Sequence, residues 1–150
     1  MTGFLLSVHV LAAILAIGPV SIAASTFPPA ARAAGSPGTS GAVRVLHRIT
    51  RVYAVIGILV PVFGLATGAS LGVLGDAWLI VSVVLTAAAA GILVGLVLPG
   101  QRAALAELGE ASVQSISRRL AMHTGVFNLL WAVVVVLMIY RPGSTTGAGL

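Results

Sequence analysis

The chain contains no cysteine and no lysine. The first absence excludes disulfides, thiolate metal sites, thiol catalysis and S-acylation. Acidic residues number only three, Asp76, Glu107 and Glu110, and each falls in a turn or loop between apolar runs. No carboxylate therefore stands where a mid-membrane proton relay needs one, which argues against a carboxylate-driven transporter. A phosphate-binding glycine loop, a nucleophile elbow and an HExxH zinc motif are also missing. Charged residues make up 7% of the chain, against roughly 25% in soluble domains, while hydrophobic residues reach 59%. So little polar surface cannot dissolve a domain of this size in water.

What remains is a membrane pattern. The net charge of +5 is carried wholly by arginine. Nucleic-acid binding requires a basic face on a water-soluble scaffold with base-reading groups. Here the arginines flank apolar segments instead, which points to membrane lipid and not to nucleic acid. The apolar run 4–27 is about 36 Å long as a helix, more than a hydrocarbon core of about 30 Å. It lacks the basic start of a signal peptide and is too long for its apolar region. Pro19 predicts a kink inside it, and Pro28 and Pro29 predict its end.

Three further spans follow, at about 43–69, 78–98 and 120–140. Pro61 should bend the second. Gly64, Gly68 and Gly72 give it a face that another backbone can approach closely. Trp78 begins the third as an interface anchor, Ala87 to Gly91 and Gly95 form a second small-residue face, and Pro99-Gly100 stops it. Residues 28–42 read as a flexible connection. Residues 99–119 read as a surface helix or an extension of the fourth span, weakened at Gly109. The tail from Gly143 reads as disordered.

The connections 28–42 and 99–119, with the basic start of the second helix, hold seven arginines, and the opposite side holds only Arg141. The positive-inside rule makes those loops cytoplasmic and puts both termini outside. The expected fold is all-α, a single polytopic domain built as an up-down four-helix bundle in the inner (plasma) membrane.

The densest basic stretch opens the second helix. Arg44, Arg48 and Arg51, with His47 between them, share one helical stripe. Arginine is costly at the bilayer centre, so this stripe should lie at a headgroup surface facing anionic lipid, or dock an acidic partner. Arg118 and Arg119 join it as lipid- or partner-binding candidates.

His9, His47 and His123 are the residues able to ligate haem in the usual way. A bis-histidine site between the second and fourth helices and a single-histidine site at His9 are both conceivable. His9 also has a structural reading, a hydrogen bond to neighbouring backbone or hydroxyl. His123, Phe127 and Trp131 recur at helical spacing, as one wall of a cofactor pocket or as ordinary packing. Asn128 is the one amide well inside a span and is expected to bond across helices. No metal site is expected.

The opening LLSVHVLAAILAIGPV resembles that of a loose group of bacterial membrane proteins. The nearest layout is the uncharacterised integral membrane family called domain of unknown function 2269. The basic lead-in to the second helix and the closing VVVVLMIYRP fit that layout too. The opening is also similar to the copper-resistance CopD membrane domain and to the bacterial membrane protoporphyrinogen oxidase. The second resemblance implies haem held by a first-helix histidine and a third-helix lysine. His9 matches the first position, and the lysine has no counterpart. Met122 and Met138, which copper handling would use, stand far from His9 along the chain.

The expected function is a non-catalytic accessory or stabilising subunit of a larger membrane complex, with protein partners in the membrane. The alternative is a b-type haem or redox protein using histidine ligands. A third reading, a small transporter, has only Ser7, Thr67, Ser82, Thr86 and Asn128 to line a path.

Overall fold

A computed structural model describes residues 1–35 and 38–144 of the protein. Its helices are α1 (Thr2–Ala33), α2 (Thr39–Ile56), α3 (Leu59–Leu71), α4 (Ala77–Ile92), α5 (Leu98–Ala106) and α6 (Ser112–Tyr140), with a π-helical segment at Leu93–Val97. They form four rods, Thr2–Ala33, Thr39–Leu71, Ala77–Ala106 and Ser112–Tyr140, each long and apolar enough to cross a membrane. The all-α four-helix bundle expected from the sequence is the architecture observed. Short connections make the rods run up and down. One end of the bundle carries the connections after Ala33 and Ala106, with arginines on the helices around them, and the other carries the start of α1, the turn between α3 and α4 and the end of α6.

The rods are unevenly joined. α1 packs along α2 and α3, and also on α6, while α4 packs on α6. α3 and α4 touch little, and α2 and α6 are not packed on one another. The buried core gathers Phe27, Val43, Val97, Leu120 and Phe127 toward the arginine-rich end. α6 enters it through Val113, Ser117, Leu120, Thr124, Phe127 and Val134. From Val113 to Phe127 those positions alternate by four and three residues, and Val134 follows seven further on, the spacing that keeps one seam of a helix facing its neighbours.

Proline acts differently from the expectation at Pro28, Pro29 and Pro99. Pro28 and Pro29 do not end α1, which runs on to Ala33 because Phe27, Pro28 and Ala31 are buried by packing. The connection expected over 28–42 is correspondingly short, and α2 already begins at Thr39. In the second rod the interruption falls at Gly57–Ile58, one turn before Pro61. A proline at 61 cannot donate to the carbonyl at 57, and its ring crowds that carbonyl. The chain adapts with shorter-range bonds, Ile58 N–H to Val55 O at 3.1 Å and Val60 N–H to Gly57 O at 3.1 Å.

Pro99 does not stop the third rod either. The turn before it widens, so that the Leu98 N–H donates to Leu93 O, five residues back. This places Pro99 in the first turn of α5, where a missing N–H is harmless. Residues 99–106 therefore continue the third rod, and the true turn lies at 107–111, around Gly109 at φ 91°. The tail expected to be disordered lies, from Thr145 onward, outside the described residues.

Candidate functional site

At the terminal end of the bundle, His9 projects from α1 onto α3. Its Nδ1 donates to the Val60 carbonyl at 2.9 Å. A carbonyl only accepts, so Nδ1 carries the proton of this bond. The ring sits directly over Gly64, where a Cβ would stand 2.8 Å from His9 Cε1. Gly68 is filled in the same way by the Leu79 and Leu74 side chains, and Gly72 ends α3 in the left-handed region at φ 71°. The expected glycine face thus seats side chains and caps a helix, and does not bring two backbones together.

Beside His9 lies a cavity of about 570 Å3 between α1, α3, α4 and α6. Its walls are aliphatic apart from His9, Thr86, Trp131, Met138 and Arg141. Met138, remote from His9 along the chain, lines the same space. Arg141 terminates α6 in the left-handed region at φ 45°. Its Nε–H donates to Met138 O at 3.2 Å, and its guanidinium carbon lies 5.4 Å from the centre of the Trp78 ring. The Trp78 indole N–H donates in turn to Asp76 Oδ2 at 3.0 Å. Trp78 is therefore buried against these neighbours at the end of the bundle.

The arginine-rich end holds a different polar structure. His47 Nδ1 donates to Gln101 Oε1 at 2.9 Å, Gln101 Nε2 donates to Thr50 Oγ1 at 3.3 Å, and Thr50 donates to Leu46 O at 2.9 Å. Gln101 and Thr50 are fully buried, and together they tie α2 to α5. Sequence reasoning missed Gln101 because Pro99-Gly100 looked like a helix stop. Arg44, Arg48, Arg51, Arg118 and Arg119 are all exposed around this end. His123 is half-buried on α6. His47 is thus tied to Gln101 on α5, while His123 lies on α6. Phe127 and Trp131 meet edge to face, 6.4 Å between ring centres, as packing partners.

Between the two ends, Asn128 joins α6 to α1. It accepts from Ser21 Oγ at 2.7 Å and donates to Ser25 Oγ at 3.0 Å. The other polar groups once considered as a transport path are dispersed: Thr67 bonds Phe63 O, Ser82 bonds Trp78 O, and Thr86 alone of the five lines the cavity. Ser117, Thr124 and Trp131, seven residues apart on α6, each bury a polar atom without a partner among the described residues.

No known protein family matches this chain, nor does any curated protein or solved structure. Among the described residues, no three histidine, cysteine, aspartate or glutamate side chains gather as a metal-binding group. What the geometry offers is thus a set of polar fasteners between helices, an exposed ring of arginine, and one apolar cavity with a cation at its end.

Proposed function

We propose that this four-span membrane protein is a non-catalytic accessory or stabilising subunit of a larger membrane assembly. One observation carries the reading. The intramembrane polar groups best suited to chemistry serve as bridges within the chain: His9 to Val60, His47 to Gln101, and Asn128 to Ser21 and Ser25. The outer surface of the third rod supports it. A Cβ added at Gly91 or Gly95 would meet nothing within 4 Å, which leaves a shallow strip that a partner helix can approach. The arginine ring faces anionic headgroups on the cytoplasmic side of the plasma membrane in this reading. The layout shared with the domain of unknown function 2269 family belongs to the same proposal.

The test is gentle extraction from native membranes, followed by mass spectrometry of whatever co-migrates. A stoichiometric protein partner is expected, and Gly91→Leu should remove it while leaving the bundle folded. A monodisperse, partner-free protein overturns the reading.

A b-type haem protein is the second reading, favoured by His9. Its Nδ1–H is held by a backbone carbonyl, the arrangement that orients ligating imidazoles. The cavity beside it adds the Met138 thioether and the Arg141 cation. Haem would bring redox chemistry to that space. A colourless preparation from haem-replete cells removes this reading.

A further inference from the structure

We infer that the outer seam between α1 and α6 docks a transmembrane helix of a partner protein. That helix carries an amide or hydroxyl side chain inside the membrane and a carboxylate nearer the arginine-rich end. The inference rests on the subunit reading above and names the chemistry of a partner at a face that reading does not use.

The middle of the seam selects a polar side chain. Ser25 on α1 and Asn128 on α6 meet at the surface of the bundle, where Ser25 is exposed and Asn128 half-buried. Other hydroxyls in the spans spend their proton on their own helix, as Thr26 does on Ile22 O, Thr67 on Phe63 O and Ser82 on Trp78 O. Ser25 Oγ instead accepts from Asn128 Nδ2, and it donates to no other described residue. Its proton and the second Nδ2 hydrogen of Asn128 are therefore unspent on this chain. Hydrocarbon accepts neither, and a polar group left unpaired in lipid is costly. A polar side chain on a neighbouring membrane helix accepts both. Gly18 and Gly125 lie one turn from the pair, the first toward the termini and the second toward the arginines. A Cβ at either meets nothing within 4 Å, so a helix can come close enough to reach the pair.

The end of the seam selects a carboxylate. Arg32 follows Ser25 by seven residues on α1, and Arg118 precedes Gly125 by seven on α6. Seven residues are about two turns, so both arginines share the outer faces of the seam, about 10 Å nearer the bundle end. Both are exposed. Arg32 shares a small cleft with Glu110, which leaves Arg118 as the surplus cation. Its guanidinium suits bidentate contact with a carboxylate. An anionic lipid also suits the arginines, but with its phosphate there it sets only methylene groups beside Ser25 and Asn128. A second copy of this chain, related by a two-fold axis through the seam, brings its own Arg32 and Arg118 to the same place, and like charges repel.

The test uses the full-length protein in its native membranes, with a photoreactive side chain placed in turn at Gly125, Gly91 and Val62. From Gly125 it should capture one transmembrane helix that carries an amide or hydroxyl residue and, about seven to ten residues away along the helix, Asp or Glu. Val62, exposed on α3, should not capture that helix. Arg118→Glu should lower the yield at Gly125 about tenfold, and replacing the partner's carboxylate by arginine should restore it. Ser25→Ala should lower it about threefold. Both substitutions fall at exposed positions, so the bundle stays folded.

Four results overturn the inference: lipid alone at Gly125, a second copy of this chain there, a captured helix lacking either group, or a yield that Arg118→Glu does not change. Capture from Gly91 with lipid alone at Gly125 sinks this inference and leaves the subunit reading standing. No protein captured from either position removes both.

Discussion

The two halves of this bundle are made of similar residues and are packed differently. Toward the arginine-rich end, α1, α2, α5 and α6 close around Phe27, Val43, Leu120 and Phe127. Toward the termini, α1, α3, α4 and α6 stand around a cavity. The change coincides with two backbone irregularities at mid-height, the interruption at Gly57–Ile58 and the π-helical turn at Leu93–Val97. The lesson is that apolar composition makes helices span a membrane, while backbone breaks decide whether they meet along their full length. Without a hydrophobic drive between helices in lipid, a splayed end is not forced shut.

The difference has a measurable size. Phe27 is fully buried, so Phe27→Ala should cost about 3–5 kcal/mol. Ile14 lines the cavity wall and is 63% exposed, so Ile14→Ala should stay within about 0.5 kcal/mol. Reversible denaturation in mixed micelles gives both values, and equal losses would mean the ends are packed alike. A smaller effect probes a tight contact at the open end. Gly64→Ala drives a methyl into the His9 ring and should cost about 1–3 kcal/mol. Truncating His9 as well removes the collision, so His9→Ala in the Gly64→Ala background should cost less than His9→Ala alone. Additive losses would show that the ring does not rest on that glycine.

Much of this could be read from the sequence, and the misses share a cause. Four spans follow from run length and charge, because no other structure satisfies so apolar a chain. Asn128 stood out as a lone amide in a span, and it is where α6 bonds α1. Prolines and glycines were harder. Pro28, Pro29 and Pro99 have one local signature, yet packing carries the helix through the first pair and a widened turn carries it past the third. Gly64 gives no hint that its neighbour is an imidazole. Gln101, fully buried between His47 and Thr50, and Met138, in the same cavity as His9, depend on which rods adjoin. That is tertiary information, absent from spacing along one chain.

A further substitution tests the boundary between the halves. Asn128 bonds Ser21 and Ser25, one helical turn apart on α1, just where the close-packed half begins. Hydrogen bonds between membrane helices contribute about 0.6 kcal/mol on average and up to about 1.7 kcal/mol. Asn128→Leu should therefore cost about 1 kcal/mol, and a cycle with Ser21→Ala should return a coupling of about 0.5–1 kcal/mol. If the bridge holds the cavity end in register with the core, Asn128→Leu should also raise hydrogen exchange in the first turns of α1 and the last turns of α6 more than near Phe27. Uniform exchange would show that the bridge contributes stability without dividing the bundle, and the contrast between the ends would then rest on the backbone breaks alone.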